Sequence, residues 1–277
     1  RFEPSSIPDA VPEDSNEMTK DLMNILKTMN AKNLQENFHD AIYYRDELRI
    51  LFKNGRISLR ERGLAESIFW HIMVSLNKEV KRLKYIPDEF EGLDKALADI
   101  YYGNLSIFQS LPDSWAIKQI FPIMPIHRLN ERPSRNAIIS DITCDCDGKI
   151  EQFVDLHDER HTLPLHELRE NEEYYLAVFL VGAYQETLGD LHNLLGDTNV
   201  VSINLTSDRH YEIVQELEGD SVADVLSYVE YNPAALRDSF KQRAELAVRE
   251  NLITPTERRA IMTAFENGIN GYTYFER

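Results

Sequence analysis

The spacing of apolar residues changes twice along this chain, and the change limits which folds it can adopt. Early in the chain, apolar residues recur at steps of three and four, as in Met18, Leu22, Ile25 and Met29, which is the spacing of one helix face. Between residues 137 and 217, short β-branched and aromatic segments are separated by turn residues, a pattern typical of strands. Helical spacing returns from Ser221 onward. Helices, then strands, then helices, without regular βαβ alternation, predict an α+β fold.

The first region is predicted to be an antiparallel bundle of helices, because its helices follow one another with short links. The second helix is expected to stop at Asn54-Gly55, a turn pair that ends helices. Ser58 and Glu61 have the spacing of a capping box, which predicts the start of a third helix. A fourth helix is expected from Asp88 to Tyr102.

The middle region carries the strand predictions. Residues 105–136 are apolar and interrupted by four prolines, so we expect an extended segment that wraps over a surface. Asp147-Gly148 is a hairpin signal between strands expected over 137–143 and 149–154. The remaining expectations are a buried strand over Glu173–Val181, a short helix over Tyr184–Leu195, a strand pair over Val200–Leu205 and His210–Leu217, and helices that begin at Pro233 and at Thr254-Pro255.

These patterns divide the chain into four predicted segments. Residues 1–14 contain three prolines and little periodicity, so they are interpreted as a tail or linker. The helical bundle is placed at 15–104, the extended wrap with the β domain at 105–219, and a C-terminal helical segment at 220–277.

The charge balance excludes two classes of partner. The chain carries 30 Lys and Arg against 47 Asp and Glu, a net charge of −17. Phosphate contacts need a basic face, so neither nucleic acid nor an anionic membrane surface is expected as a partner. No apolar run reaches the roughly 18 residues that cross a bilayer. Cys144 and Cys146 lie too close in sequence for an unstrained disulfide with each other, so a reducing, cytoplasmic setting is expected.

The densest group of reactive side chains is the segment Asp141–Gly148, which reads Asp-Ile-Thr-Cys-Asp-Cys-Asp-Gly. Four interpretations of it remain open. The first is a polar hairpin turn, and the second is a partial calcium loop that lacks the distal glutamate of such loops. The third is a zinc site in which His157, His161 or His166 completes the cysteine pair. The fourth is a thiol acid beside a carboxylate.

The fourth interpretation gives roles to two neighbours. Cys144 would deliver a proton to a carbanion, and Asp145 would hold a cationic substrate tail. A second group, Gly182-Ala183-Tyr184, follows the apolar strand. The Tyr184 hydroxyl there can donate to a ligand phosphate, while simple packing at a helix start is the alternative. His192 is interpreted as structural and Asn193 as a turn-capping residue.

Several common nucleotide and hydrolase motifs are missing from the sequence. It has no G-x-G pair, no G-x-S-x-G elbow and no H-E-x-x-H, so Rossmann, nucleophile-elbow and zincin sites are not expected.

Longer motifs instead resemble the bacterial biosynthetic arginine decarboxylase family of pyridoxal-phosphate enzymes, within the alanine-racemase-like fold type III class. These motifs are Phe108–Trp115, Asp141–Asp145, Val181–Glu186, Leu191–Thr198 and Gly271–Tyr274.

The resemblance implies a particular arrangement of domains. Members of that family have a (β/α)8 barrel that carries the cofactor lysine, then a β domain interrupted by a helical bundle, then C-terminal helices. This chain would begin near the end of the barrel. It is therefore expected to be an α+β C-terminal portion, with the helical bundle insertion, a fold-type III β domain and the C-terminal helices, and without the barrel or its lysine.

The resemblance also implies roles for three residues. Cys144 would be the acid that reprotonates the α-carbon after carbon dioxide leaves, and Asp145 would bind the substrate guanidinium. Tyr184 would hydrogen-bond the phosphate of pyridoxal 5'-phosphate. In related enzymes these groups reach across a dimer interface into the partner's barrel. Cys146 receives no catalytic role, and Mg²⁺, which the family suggests, has no convincing ligand set among these residues.

Two functions follow as hypotheses. In the first, the complete protein is a lyase that converts L-arginine to agmatine and CO2 for polyamine (putrescine and spermidine) synthesis, and this chain by itself is inactive without the barrel portion. In the second, the chain is a non-catalytic assembly module for a homo-oligomer. Replacing Cys144 by alanine separates the two, because only the first predicts a loss of turnover.

Overall fold

The chain folds into two units, each built from separate stretches of sequence. The computed structural model describes residues 3–90, 92–156, 159–207 and 210–276. The first unit comprises the described parts of Arg1–Ile100, His127–Ile138 and Glu159–Tyr174, and the second those of Tyr101–Ile126, Ile139–Asp158 and Tyr175–Arg277. The four-segment division inferred from the sequence stays a prediction.

Helices and strands are both present, as an α+β fold requires. The helices are α1 Glu17–Thr28, α2 Leu34–Lys53, α3 Leu59–Val80, α4 Leu93–Ala96, α5 Ile107–Ser110, α6 Pro112–Ala116, α7 Tyr184–Thr187, α8 Val222–Tyr228, α9 Pro233–Arg249 and α10 Pro255–Ile269. The strands are β1 Asp99–Tyr102, β2 Ile123–Pro125, β3 Arg135–Ser140, β4 Lys149–Ile150, β5 Phe153–Val154, β6 Glu159–Arg160, β7 Leu163–Leu165, β8 Leu176–Val178, β9 Val200–Leu205 and β10 Tyr211–Leu217. No helix in the described residues is long and apolar enough to cross a bilayer.

The first unit is organised around the three long helices α1, α2 and α3. Asn16 caps α1 by accepting the N–H of Met18 at 3.0 Å, and Ser58 caps α3 by accepting the N–H of Glu61 at 3.1 Å. The Glu61 carboxylate accepts the N–H of Asn16 at 2.5 Å instead of closing a capping box. The three helices pack around one hydrophobic core, which includes Leu22, Met23, Ile25, Leu48, Ala65, Ile68, Phe69, Ile72, Met73 and Leu76. Burying each large aliphatic side chain contributes roughly 1.5–3 kcal/mol.

The predicted fourth helix over Asp88–Tyr102 is wrong. A short 3-10 turn at Asp88–Phe90 is followed by the single turn of α4, and the chain then becomes the strand β1. Ile100, Tyr101 and Tyr102 are β-branched or aromatic residues that favour a strand. The buried carboxylate of Asp99 also receives two bonds from Arg135, at 2.6 and 2.8 Å.

Strand β3 contributes residues to both units. In the first unit its residues Arg135 to Ala137 pair antiparallel with β7. In the second unit Ile139 and Ser140 pair antiparallel with Ile150 and Lys149 of β4. This pairing confirms the hairpin predicted at Asp147-Gly148. The predicted strand over 137–143 is wrong at its end, because β3 stops at Ser140 and residues 141–148 form the hairpin loop.

Two predictions for the middle region of the sequence are corrected. The predicted return strand over Lys149–Val154 is split into β4 and β5 by Glu151 and Gln152. Residues 105–136 are not simply extended, because Ser106 caps α5 and Pro112 occupies the first turn of α6. Proline is well suited to that position, since its missing N–H would have no partner there. The segment becomes a strand only at β2, which pairs with β8.

The predicted buried strand over Glu173–Val181 and helix over Tyr184–Leu195 are both too long. Phe179, Leu180 and Val181 are exposed by 43%, 85% and 41%, so the apolar run is not buried. Leu180 has a φ of 59°, a left-handed conformation that ends the strand. Helix α7 ends at Thr187, and Asn193 later adopts a φ of 57°, which is incompatible with a helix.

The strand pair and the C-terminal helices are confirmed. Strands β9 and β10 pair antiparallel, with Leu205 opposite Tyr211 and Ile203 opposite Ile213. Asn232 precedes Pro233 and caps α9. Thr254 and Glu257 form a complete capping box at the start of α10, as their spacing predicts. The hydrogen bonds from Thr254, first that of its backbone N–H, lower the pKa of the Glu257 carboxyl.

Candidate active site

The loop 141–148 of the second unit is organised by one buried carboxylate. Asp141 is fully buried. Its Oδ2 accepts the N–H of Ile107 at 2.9 Å, and its Oδ1 accepts the N–H and the hydroxyl of Thr143 at 2.9 and 2.8 Å. A carboxylate that accepts several such bonds fixes the backbone on both sides of it. Asp141 therefore sets the shape of the loop that carries Cys144 and Asp145.

Gly148 closes this loop at a point where no larger residue fits. Its backbone N–H donates to the carbonyl of Asp145 at 3.1 Å. A Cβ added at Gly148 would overlap the carboxylate of Asp141. The glycine is therefore required by close approach, in addition to its part in the turn.

Cys144 is exposed and is held by a residue far away in the sequence. Both cysteines are free thiols. The N–H of Cys144 donates to Oδ1 of Asn193 at 3.0 Å, and Nδ2 of Asn193 donates to Sγ of Cys144 at 3.2 Å. One amide thus contacts both the backbone and the sulfur of the predicted acid.

Asp145 lies beside an imidazole that is itself held in place. Its Oδ2 lies 4.0 Å from Nε2 of His192, and its side chain is 38% exposed. The His192 ring stacks on Phe108 at 4.4 Å between centroids and 23° between planes. Oδ1 of Asp145 accepts the N–H of Asp147 at 2.9 Å. The carboxylate therefore has one oxygen bound within the loop and one facing His192.

A cleft of about 470 Å³ opens on Cys144. Its walls come from the loop, from residues 193–195 and from the end of the chain, with Ile142, Thr143, Cys144, Asn193, Leu195, Thr273, Tyr274 and Phe275 in its lining. The N–H of Gly196 donates to the hydroxyl oxygen of Thr273 at 3.1 Å, and both side-chain amide atoms of Asn104 bond the backbone of Phe275. The end of the chain is therefore a fixed wall of the cleft.

Tyr274 is the buried member of this wall. Its hydroxyl donates to the carbonyl of Gly196 at 2.8 Å. Burial, which disfavours the phenolate, raises the pKa of Tyr274 well above its usual value, and the neighbouring Tyr272 and acidic groups add to this. The phenol is thus held neutral in the folded chain.

We expect Tyr274→Phe to lower the free energy of unfolding by about 1 kcal/mol at neutral pH, the usual net contribution of one hydrogen bond. The folded-state pKa lies above the unfolded value of about 10, so this tyrosine stabilises the fold fully below that pH and progressively less above it. Urea unfolding measured in steps of rising alkaline pH should show a shallower loss of stability in Tyr274→Phe than in the wild type. Tyr184→Phe, at an exposed tyrosine, is the control, and equal slopes for all three chains would contradict the assignment.

Tyr184 lies at the start of the short helix α7, where its backbone carbonyl accepts the N–H of Leu188 at 2.8 Å. Its side chain is 73% exposed, and no partner of its hydroxyl is found among the described residues. The next residue, Gln185, is buried and exchanges two bonds with Asp113, at 3.1 and 2.5 Å. Those bonds fix the start of α7, so the position of Tyr184 is set by its neighbour.

A second cleft of about 310 Å³ lies beside Tyr184 and is lined by Gln109, Ser110, Val181, Gly182, Ala183, Gln185, Glu186, Asp197 and Thr198. Asp197 accepts a bond from Gln109 at 2.5 Å. The carboxylates of Glu186 and Asp197 make this cleft a poor site for a phosphate, because like charges repel. The chain thus offers a phosphate group the free hydroxyl of Tyr184, and its other ligands would have to come from elsewhere.

The described residues place one group of three or more potential metal ligands together. These are Asp145, Cys146 and Asp147, whose ligand atoms lie within 4.8 Å of one another in an exposed turn. A thiol is a soft ligand that does not suit Mg²⁺. His166 has Tyr174 Oη at 2.8 Å from Nδ1 and the Glu131 carbonyl at 3.0 Å from Nε2, so it is not free to complete a zinc site. His157, which the zinc hypothesis also names, lies outside the described residues.

The structure brings together motifs that are far apart in the sequence, and it adds residues that sequence reasoning missed. Phe108 contacts both His192 and Trp115, and Gly196 is held by Thr273 and Tyr274. The sequence marks Asp141 only as one member of the cluster 141–148, and it indicates only a turn-capping role for Asn193. The position of Asn193 within the Leu191–Thr198 motif was the available signal, but its contact with Cys144 spans 49 positions.

Comparison with known families defines the class of the chain. Residues 12–94 match the arginine decarboxylase helical bundle domain, and residues 222–275 match the arginine decarboxylase C-terminal helical extension. The chain belongs to the arginine decarboxylase family and corresponds to its C-terminal portion. The predicted helical bundle, C-terminal helices and mixed fold are confirmed, and no eight-stranded parallel barrel is present in the part of the chain that the structure describes.

Similar proteins include several named biosynthetic arginine decarboxylases. One from Bacteroides thetaiotaomicron is 47% identical over 263 residues, which are 95% of this chain and 42% of that protein. One from Thermosynechococcus vestitus is 44% identical over 274 residues, 98% of this chain and 43% of that protein. The crystal structure of the Campylobacter jejuni biosynthetic arginine decarboxylase matches with a TM-score of 0.76 at 30% identity, covering 96% of this chain and 42% of that one. The chain thus spans about two fifths of the length of these relatives.

Proposed function

We propose that these residues form part of a pyridoxal-phosphate-dependent arginine decarboxylase, which converts L-arginine to agmatine and CO2 and so supplies polyamine synthesis. The observation that carries the proposal is the loop 141–148, where a buried Asp141 fixes the segment that carries Cys144 and Asp145, and where a cleft opens on Cys144. The family matches and the names of the relatives support the same reaction. The complete protein here means these 277 residues together with the part of the relatives' length that they do not match.

Cys144 is proposed as the acid of the reaction. Its thiol is exposed at the cleft, where it can transfer a proton from Sγ to the α-carbon of the decarboxylated substrate. The S–H bond breaks, a C–H bond forms, and the negative charge of the carbon moves to the sulfur. A positioned general acid of this kind typically contributes about 10²–10⁴-fold to a rate.

Tyr184 is proposed to donate one hydrogen bond to the phosphate of the cofactor. Its exposed hydroxyl and the fixed start of α7 fit this role, while the acidic cleft beside it fits the phosphate poorly. When bound, pyridoxal phosphate supplies the electron sink for the bond broken in decarboxylation. No lysine lines either cleft among the described residues, which supports the proposal that this chain by itself is inactive.

Asp145 is proposed to bind the guanidinium group of arginine. Its side chain is 38% exposed, with Oδ2 at 4.0 Å from Nε2 of His192, and a carboxylate pairs well with a planar guanidinium. We expect Asp145→Asn in the complete protein to raise the KM for arginine by about 10-fold or more, since a charge-assisted bond contributes about 1.5–3 kcal/mol. The measurement is steady-state agmatine formation over a range of arginine concentrations.

Asp147→Asn is the matched control for this experiment, because Asp147 lies in the same loop and is exposed. It removes the same charge from the loop without removing the proposed guanidinium ligand. An equal rise in KM for both variants would show that the charge of the loop, and not Asp145 itself, acts on the substrate.

An assembly role is the second candidate, and one observation favours it. The hairpin of β9 and β10 exposes apolar side chains across both strands, including the opposed pairs Ile203–Ile213 and Leu205–Tyr211. Exposed apolar patches of this kind commonly mark contact surfaces. A homo-oligomer whose contacts include this hairpin is compatible with the enzymatic proposal, and size measurement of chains with Ile203→Ser and Ile213→Ser would test it.

A further inference from the structure

Asn193 makes two hydrogen bonds to Cys144 that differ in kind. Its Oδ1 accepts the backbone N–H of Cys144 at 3.0 Å, while its Nδ2 donates to Sγ at 3.2 Å. Because the amide uses the sulfur as an acceptor, the hydrogen of the thiol must point in another direction. The same side chain therefore fixes both the backbone and the rotation of the Cys144 thiol.

The backbone that presents Asn193 is held in an uncommon conformation. Asn193 and Leu194 have φ values of 57° and 59°, in the left-handed region that asparagine tolerates and leucine rarely adopts. Such a conformation persists only where the surroundings determine it. Here the stack of His192 on Phe108 lies before the pair, and the bonds of Gly196 to Thr273 and Tyr274 lie after it.

We propose that Asn193 is a positioning residue for Cys144, an inference that rests on the proposed function of Cys144 as the acid. Its amide donates to the sulfur before and after proton transfer. When the proton has moved from Sγ to the α-carbon, the same N–H stabilises the negative charge left on the sulfur, since hydrogen bonds to charged acceptors are the stronger ones. Asn193 thus orients the thiol and stabilises the thiolate that forms from it, and it acts on the reaction through Cys144.

Two substitutions separate the parts of this role. Asn193→Asp keeps an oxygen that can accept the N–H of Cys144, but it cannot donate to Sγ. Asn193→Gly removes both bonds and is compatible with the positive φ. The matched control is Asn251→Gly, because Asn251 also has a φ of 57° and is exposed between α9 and α10.

The first measurement uses this chain with Cys146→Ser, so that Cys144 is the sole thiol. The rate of alkylation by iodoacetamide is followed at neutral pH. We expect Asn193→Asp to slow alkylation about threefold or more, because the thiolate that reacts loses its donor and faces a carboxylate. A rate equal to that of Asn251→Gly would overturn the proposed contact. Thermal unfolding of each variant verifies that the chain is folded.

The second measurement uses the complete protein with pyridoxal phosphate. We expect Asn193→Gly to lower kcat for arginine about tenfold, within the range that a positioned acid contributes, with an unchanged KM and a larger solvent deuterium isotope effect on kcat. Asn251→Gly should change none of these. A kcat like that of the control overturns the positioning role. If the unsubstituted complete protein forms no agmatine, the proposed function fails, and the alkylation rates still decide whether Asn193 controls the Cys144 thiol.

Discussion

Cys144→Ser in the complete protein should lower the rate of arginine decarboxylation by about a hundredfold or more, because a serine hydroxyl is a much weaker acid than a thiol and a positioned acid contributes about 10²–10⁴-fold. The substitution changes one atom in a side chain that is exposed at the cleft. It should therefore leave the fold and the affinity for arginine nearly unchanged. Agmatine formation under saturating arginine, measured beside the thermal unfolding curve, separates loss of chemistry from loss of structure.

Cys146→Ser is the control for this prediction. Cys146 is also a free, exposed thiol, in the same loop, and it contributes nothing to the proposed mechanism. We expect it to keep nearly full activity. Full activity in Cys144→Ser would leave the assembly role as the better account of the chain, and equal losses in both variants would point to a general effect of the loop.

Asp141→Ala should destabilise the second unit by about 3 kcal/mol, since it leaves one buried and two part-buried donors without their acceptor, at about 1–3 kcal/mol for each buried donor, and these costs are not fully additive. The donors are the N–H of Ile107 and the N–H and hydroxyl of Thr143. Because these bonds connect the loop to α5, the loss should also disorder the segment that carries Cys144. The expected result is a lower free energy of unfolding together with lower activity.

Trp115 provides a signal for this measurement. It contacts Phe108 in the second unit at 5.2 Å between ring centroids, and the chain has two tryptophans. In a Trp70→Phe background, the fluorescence of Trp115 follows unfolding of the second unit in urea. Asp147→Ala, at the exposed carboxylate of the same loop, should change stability by less than about 0.5 kcal/mol. A loss below about 1 kcal/mol in Asp141→Ala would contradict the organising role of its carboxylate.

Local signals in the sequence predicted the local parts of this fold. Ser58, Asn54-Gly55 and the Thr254–Glu257 pair act within one helical turn, and each marks a helix boundary where it was expected. Asp147-Gly148 likewise predicts its hairpin, because the two strands it joins are adjacent in the sequence.

The failures arise where contacts from distant residues decide the structure. The segment 88–102 has apolar residues at helical spacing. Its end is nevertheless the strand β1, in which Asp99 forms an ion pair with Arg135 of β3. The apolar run that ends in Val181 predicts burial, which requires a second apolar surface that spacing does not reveal. For the candidate site, residue types identified Cys144 and Asp145 as chemically suited. Neither the burial of Asp141 nor the reach of Asn193 to Cys144 follows from local pattern.

The most direct test of the central claim is release of CO2 from carboxyl-labelled L-arginine, with agmatine measured in the same samples. The complete protein with pyridoxal phosphate, its Cys144→Ser variant and this 277-residue chain by itself are compared. We predict equal amounts of CO2 and agmatine from the complete protein, a strongly reduced rate from the variant, and neither product from the chain by itself. An absence of agmatine from the complete protein, or a full rate without Cys144, would contradict the account.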